Sequence, residues 1–250
     1  MKRYRSYRLS VSILLLTLWV VLVHFQLVKP IFLPSLQDVF SSLLSFVFSI
    51  EGLNNIFSTF RRMITGFLLG ILFAIPAGIF LGLFKRIYES IGWFIDFCRS
   101  VPVTALFPLF LIFFGFGDTT KIVMCAWASG FIVLINTIHG VWSTKENRRV
   151  MALTKRATSW QVLTKITLPE SLPFIFAGMR IGISWALIVV IVAEMFIGTQ
   201  YGMGRAIYNA SITFDTPRVM ACILLIGFIG LSLNRFMLAL EKRIIHWNGY

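Results

Sequence analysis

Residues 156–180 read RATSWQVLTKITLPESLPFIFAGMR. The stretch begins basic and amphipathic, carries Pro169 and Pro173, and ends inside an apolar run. Thr158 followed three residues later by Gln161 fits a capping box, which predicts a short helix starting near Ser159. Trp160, Leu163 and Ile166, at i, i+3 and i+6, give that helix an apolar face, and Lys165 lies off it. Pro169 has no amide hydrogen and disfavours helix in the residue before it, so the short helix is expected to end there. Pro173 is placed to begin the next helix as its first residue. Upstream, about 146–155 reads as another short helix. Two spanning helices can be joined by about two to eight residues, so a segment of this size does more than connect. Two occupants fit its apolar face: a groove on a partner protein or an anionic lipid surface, which the basic residues also favour.

Composition sets the context. The chain has 250 residues, 58% hydrophobic and 13% charged, where a soluble domain carries about 25% charged residues. It cannot cover itself with polar surface, and it reads as one integral membrane domain, 1–250. The net charge of +13 does not point to nucleic acid, because the basic residues sit at the ends of apolar spans. Cys98, Cys125 and Cys222 fall in or beside apolar runs at no metal spacing and read as small core residues. The N-terminal apolar run continues into HFQLVKPIFLP without a small-residue cleavage site, so it is expected to be a retained first span.

Six spans are expected, at about 10–28, 63–84, 101–117, 121–142, 173–197 and 218–240. The third contains Pro102 and Pro108. With the N-terminus inside, 15 of the 23 Lys and Arg fall on the cytoplasmic side and 6 outside, which selects an N-in/C-in topology. The 146–169 loop is then cytoplasmic. The first outer segment, about 30–61, contains PSLQDVFSSLLSFVFS and is expected to hold a helical connector.

Gly66, Gly70, Ala74, Gly78 and Gly82 put a small residue at every fourth position of the second span, and Gly178 and Gly182 begin a similar stripe on the fifth. In lipid, such stripes let helix backbones approach closely. Glu194, in VVIVAEMFIG near the outer end of the fifth span, is a candidate pathway or gate residue; the alternative is an interfacial Glu paired with a basic neighbour or an amide. Arg61, Arg62 and Arg205 read as interfacial anchors. The sequence has no GxxxxGK[ST], HExxH or GxSxG pattern, so no catalytic, metal or cofactor site is expected, and YGMGRAI reads as a turn before a short helix. Energy for transport must come from a partner or an ion gradient.

The 146–169 segment resembles the loop of ABC importer inner-membrane permeases of the binding-protein-dependent type, whose pattern is E-A-A, three residues, G, nine residues, I-x-L-P. Here I-x-L-P is Ile166, Thr167, Leu168 and Pro169; the E-A-A positions hold Val150, Met151 and Ala152, and Arg156 stands at the glycine. The turn must therefore be made by a non-glycine residue or be reshaped. The resemblance runs over about 30–247 and is closest to the nitrate/sulfonate/taurine branch: FLPSLQDVF, FRRMITGFLLGILFAIPAGIFLG, RSVPVTALFPLFLIFFGFGDTTK, LPFIFAGMRIGISWALIVVIVAEM and LALEKRIIHW each resemble its segments in order. It implies an all-α, polytopic helix bundle of the type I importer kind in a bacterial-type inner membrane. It also implies a second permease copy, a dimer of cytoplasmic ABC ATPases docked on the loop, and an external substrate-binding protein. The solute would be a small organic or inorganic anion. An ATPase-independent secondary transporter or channel is the alternative, and would call for intramembrane charge relays or an inverted repeat.

Overall fold

The computed structural model describes residues 11, 13–14, 17–144 and 146–245. The start of the expected 10–28 span, the basic residues Lys2, Arg3, Arg5 and Arg8, and Lys145 lie outside the described residues; within that span, 17–24 are helical (α1). The rest is helix joined by short turns: α2 Leu36–Val47, α3 Ile50–Leu83, α4 Lys85–Ser100, a 3₁₀ turn Val103–Leu106, α5 Phe107–Phe114, α6 Asp118–Trp142, α7 Glu146–Thr154, α8 Ser159–Val162, a π turn Leu163–Thr167, α9 Leu168–Phe196, α10 Met203–Ile212 and α11 Thr216–Ile244.

Four of these stretches are long and apolar enough to cross a membrane: Ile50–Leu83, Asp118–Trp142, Ser159–Phe196 and Thr216–Ile244. Helix α4 and the Val103–Phe114 segment form a further pair, bent by 86°. The expected connector helix is α2, with Ser35 accepting from the Asp38 amide at its start. The outer segment does not stay separate, however. Ser49 caps a new helix, α3, which runs unbroken from Ile50 through Pro76 to Leu83, so the second span begins 13 residues before the expected Met63.

The small-residue stripe of α3 lies against α6. A β-carbon built on Gly66 would stand 2.5 Å from Cys125 Cβ, on Gly70 2.7 Å from Ser129 Oγ, on Gly78 2.6 Å from Thr137 Cβ and on Gly82 2.6 Å from Val141 Cβ. Ala74 is buried in the same row. The partner numbers rise in step, so α3 and α6 run parallel. Gly178 and Gly182 of α9 meet Asn136 and Val133 of α6, with Gly140 at Ser171, so α9 runs antiparallel to it. The core between these three helices is built from Met63, Phe67, Met124, Cys125, Ile183, Ala186 and Val190. All three cysteines are buried and free.

Parallel packing of α3 and α6 requires the chain to travel back between Leu83 and Asp118. The bent α4–α5 pair, Lys85–Phe114, makes that journey, and it begins well before the 101–117 segment expected to be interrupted by Pro102 and Pro108. Pro102 lies at the break and Pro108 in the first turn of α5. At both places the missing amide hydrogen costs no helical bond.

Candidate functional site

Two polar constructions sit at opposite ends of the bundle. At one end the 146–169 loop follows α6. Helix α7 closes with Arg156 at φ 60°. The Ala157 amide bonds the Ala152 carbonyl at 3.0 Å and the Arg156 amide bonds that of Leu153 at 2.9 Å. These are the two bonds of a Schellman motif with Arg156 at the left-handed position that glycine normally fills. Thr158 then starts α8 with the expected capping box: its hydroxyl accepts from the Gln161 amide, and the Gln161 side chain accepts from the Thr158 amide at 2.9 Å.

Pro169 does not end the helix. The π turn Leu163–Thr167 carries α8 into α9, and the Leu168 amide reaches back five residues to Leu163. This wider turn absorbs the missing donor of Pro169, which lies in the first turn of α9. Pro173 is consequently inside α9 rather than at its start. The π turn also changes the exposed face. Trp160 is 70% exposed, while Val162 and Thr167 are buried and Leu163 and Ile166 are half-buried. Trp160, Leu163 and Val162 border a groove of about 410 Å³ with Leu153 and with Leu83 and Phe84 from the α3–α4 corner. An ion pair between Arg148 and Glu170 ties α7 to the first turn of α9. The loop is thus braced against two spanning helices, with one tryptophan left outward.

At the far end, Glu194 is buried, 2% exposed, and Arg62, only 4% exposed, lies beside it. Arg62 Nη1 donates to Glu194 Oε1 at 2.6 Å and to the Tyr201 carbonyl at 2.7 Å; its Nε donates to Asp118 Oδ1 at 2.6 Å and its Nη2 to Thr199 Oγ1 at 2.9 Å. Arg61 pairs with the other oxygen of Asp118. Glu194 Oε2 accepts from Thr59 Oγ1 at 2.7 Å and from the Gly204 amide at 3.1 Å. The Met203 amide bonds Thr59 and the Gly202 amide bonds Asn55. The carboxylate therefore caps the first turn of α10, where its charge meets the positive end of the helix. A β-carbon on Gly202 would lie 2.5 Å from Glu194 Cδ, and one on Gly204 2.1 Å from the Ile191 carbonyl; the two glycines of YGMGRAI make room for the carboxylate. The expected short helix is α10. Arg62 does not stand at the surface as an anchor would: it is 4% exposed, and its donors are spent on Asp118, Glu194, Thr199 and Tyr201 inside the bundle.

The proline and carboxylate candidates are not one cluster. Pro102 borders a groove of about 570 Å³ with Arg99, Ser100, Trp127, Asn136 and Trp185. Phe107 and Phe110, flanking Pro108, are buried in the core. Among the described residues no group of three or more His, Cys, Asp or Glu is placed to hold a metal.

The family described as binding-protein-dependent transport system inner membrane component matches residues 66–246. The chain belongs to this family. The taurine transport system permease protein TauC of Escherichia coli (strain K12) is 32% identical over 98% of this chain and 91% of its own length. The putative aliphatic sulfonates transport permease protein SsuC of Bacillus subtilis (strain 168) is 28% identical over 100% of this chain and 91% of its own. Among solved structures, an inward-facing MetNI methionine ABC transporter matches the fold with a TM-score of 0.64, at 16% identity, over 79% of this chain and 96% of that one. This protein is therefore the permease component of an ABC importer: an all-helical, multi-pass membrane protein and a transport subunit, not an enzyme.

Proposed function

We propose that two copies of this permease enclose a pathway for a small anionic solute, such as a sulfonate, taurine or nitrate, handed over by an external binding protein. The chain crosses a bacterial-type inner membrane six times as one domain, 1–250, with both termini and the 146–169 loop in the cytoplasm. A dimer of ATPase subunits docks on that loop. ATP-driven closure moves the loops, and α8, continuous with α9 through the π turn, carries the motion into the bundle. Ala152 and Arg156 form the turn, Thr158 and Gln161 start the coupling helix, Trp160 and Leu163 meet the ATPase, and Ile166, Leu168 and Pro169 join it to α9.

The observation that carries this reading is the braced loop with an outward tryptophan. A 70% exposed Trp160 on a capped helix gains most of its burial only from a partner. At the other end Glu194 acts on the outer gate by holding α10 against α3 and α9, and Pro102 sets the bend that borders the pathway. Replacing Trp160 with aspartate should separate ATP hydrolysis from uptake while the bundle stays folded. Wild-type uptake by that variant would defeat the coupling role.

A further inference from the structure

One face of α9 lies between two grooves. The first, about 570 Å³, holds Arg99, Ser100 and Asn136; the second, about 480 Å³, holds Arg180, Ser184, Gly230 and Asn234. They share Ile181 and Trp185, which together with Ile188 form an exposed row at i, i+4 and i+7. An exposed apolar row by itself would suit lipid. Arg180 argues otherwise. It lies seven residues into the 173–197 span, about 10 Å along the axis at 1.5 Å per residue, and its side chain is 35% exposed. A guanidinium so deep in a span faces a partner or a wet cavity rather than hydrocarbon.

The charge is arranged in one direction. The charged residues bordering the two grooves are Arg99 and Arg180. Their carboxylate neighbours stand away from the linings: Asp96 is bonded to Arg99 at 2.8 Å, and the buried Glu241 is 3.8 Å from Arg180 Nη1. Gly230 packs on Leu187 and Glu241 lies beside Arg180, so α11 runs antiparallel to α9 and Asn234 comes level with Ser184, one turn from Arg180.

We propose that this face of α9 lines the aqueous pathway and that Arg180, with Ser184 and Asn234, is the station that receives the solute's anionic group. The proposal rests on the permease reading and adds the residue that sets its charge preference. A guanidinium fork matches a sulfonate, carboxylate or nitrate with two parallel hydrogen bonds. The hydroxyl and amide one turn on extend the polar track, and Trp185 offers an apolar wall to a short organic tail.

The test uses the full permease assembled with its ATPase and binding protein in membrane vesicles. Ser184→Cys is treated with anionic 2-sulfonatoethyl methanethiosulfonate and with the cationic trimethylammonium analogue; wild type, whose cysteines are buried, gives the background. Ser184→Cys should react with both and faster with the anionic reagent, by about tenfold, the lower end of what a groove lined by one sign of charge gives. Adding Arg180→Gln should abolish that preference, and Arg180→Lys should keep it. No aqueous reaction at Ser184→Cys would put the face in lipid and overturn the proposal, as would a reagent preference indifferent to Arg180→Gln. Retention of the ATPase in the same samples reports on the permease reading separately.

Discussion

Arg62 and Glu194 hold each other in a place neither could occupy alone. Removing one partner of such a buried pair leaves the other charge uncompensated, at about 3–5 kcal/mol. Glu194→Gln should therefore lower the thermal midpoint of the purified protein markedly, whereas Arg205→Gln should not; equal midpoints for the two would show that the buried pair carries no stability. Arg156 offers the opposite case. A non-glycine residue in the left-handed region costs about 1–2 kcal/mol, so Arg156→Gly should fold and transport as well as wild type, while the β-branched Arg156→Val should open the Schellman turn and lose ATPase retention. Glu194 was legible in the sequence because a lone carboxylate in an apolar run announces itself, and Gly202 and Gly204 lie within ten residues of it. Arg62 was not. Its acceptors are 56 to 139 residues away in sequence, and nothing local separates a buried arginine from an anchor one residue before an expected span.

At the scale of elements, the glycine stripe of α3 was readable because a period of four is local. Its consequence is measurable. Gly70→Leu should push α3 from α6, since even its first carbon would lie 2.8 Å from the Ala126 carbonyl, and overpacking of this kind costs about 1–3 kcal/mol. Gly227→Ala, with nothing within 4 Å of the new carbon, should keep the midpoint or raise it, because alanine favours a helix interior over glycine. The capping box at Thr158 and the helix after Ser35 were readable for the same reason, each resting on bonds within four residues. Pro169 misled because proline rules assume regular α-helical spacing, and the π turn before it removes the clash. The third span misled because its course is fixed by the parallel packing of α3 and α6, a long-range fact that apolar counting cannot contain.

For the whole molecule, the bundle joins two ends of different construction. The Arg62–Glu194 cluster closes one end around buried ion pairs, and the other end keeps a tryptophan outward on a helix joined to α9. Composition reached a membrane helix bundle, the resemblance of its segments in order reached an importer permease, and the relatives agree. The sequence left open how a loop with Arg156 in place of glycine could make its turn, and the Schellman motif answers that. The most direct measurement is the amount of ATPase retained per permease on purification from co-expressing cells, comparing wild type with Trp160→Asp alongside their thermal midpoints. The account predicts that Trp160→Asp keeps the wild-type midpoint and loses most of the bound ATPase. Full retention with undiminished solute uptake would contradict the loop's role as the coupling element.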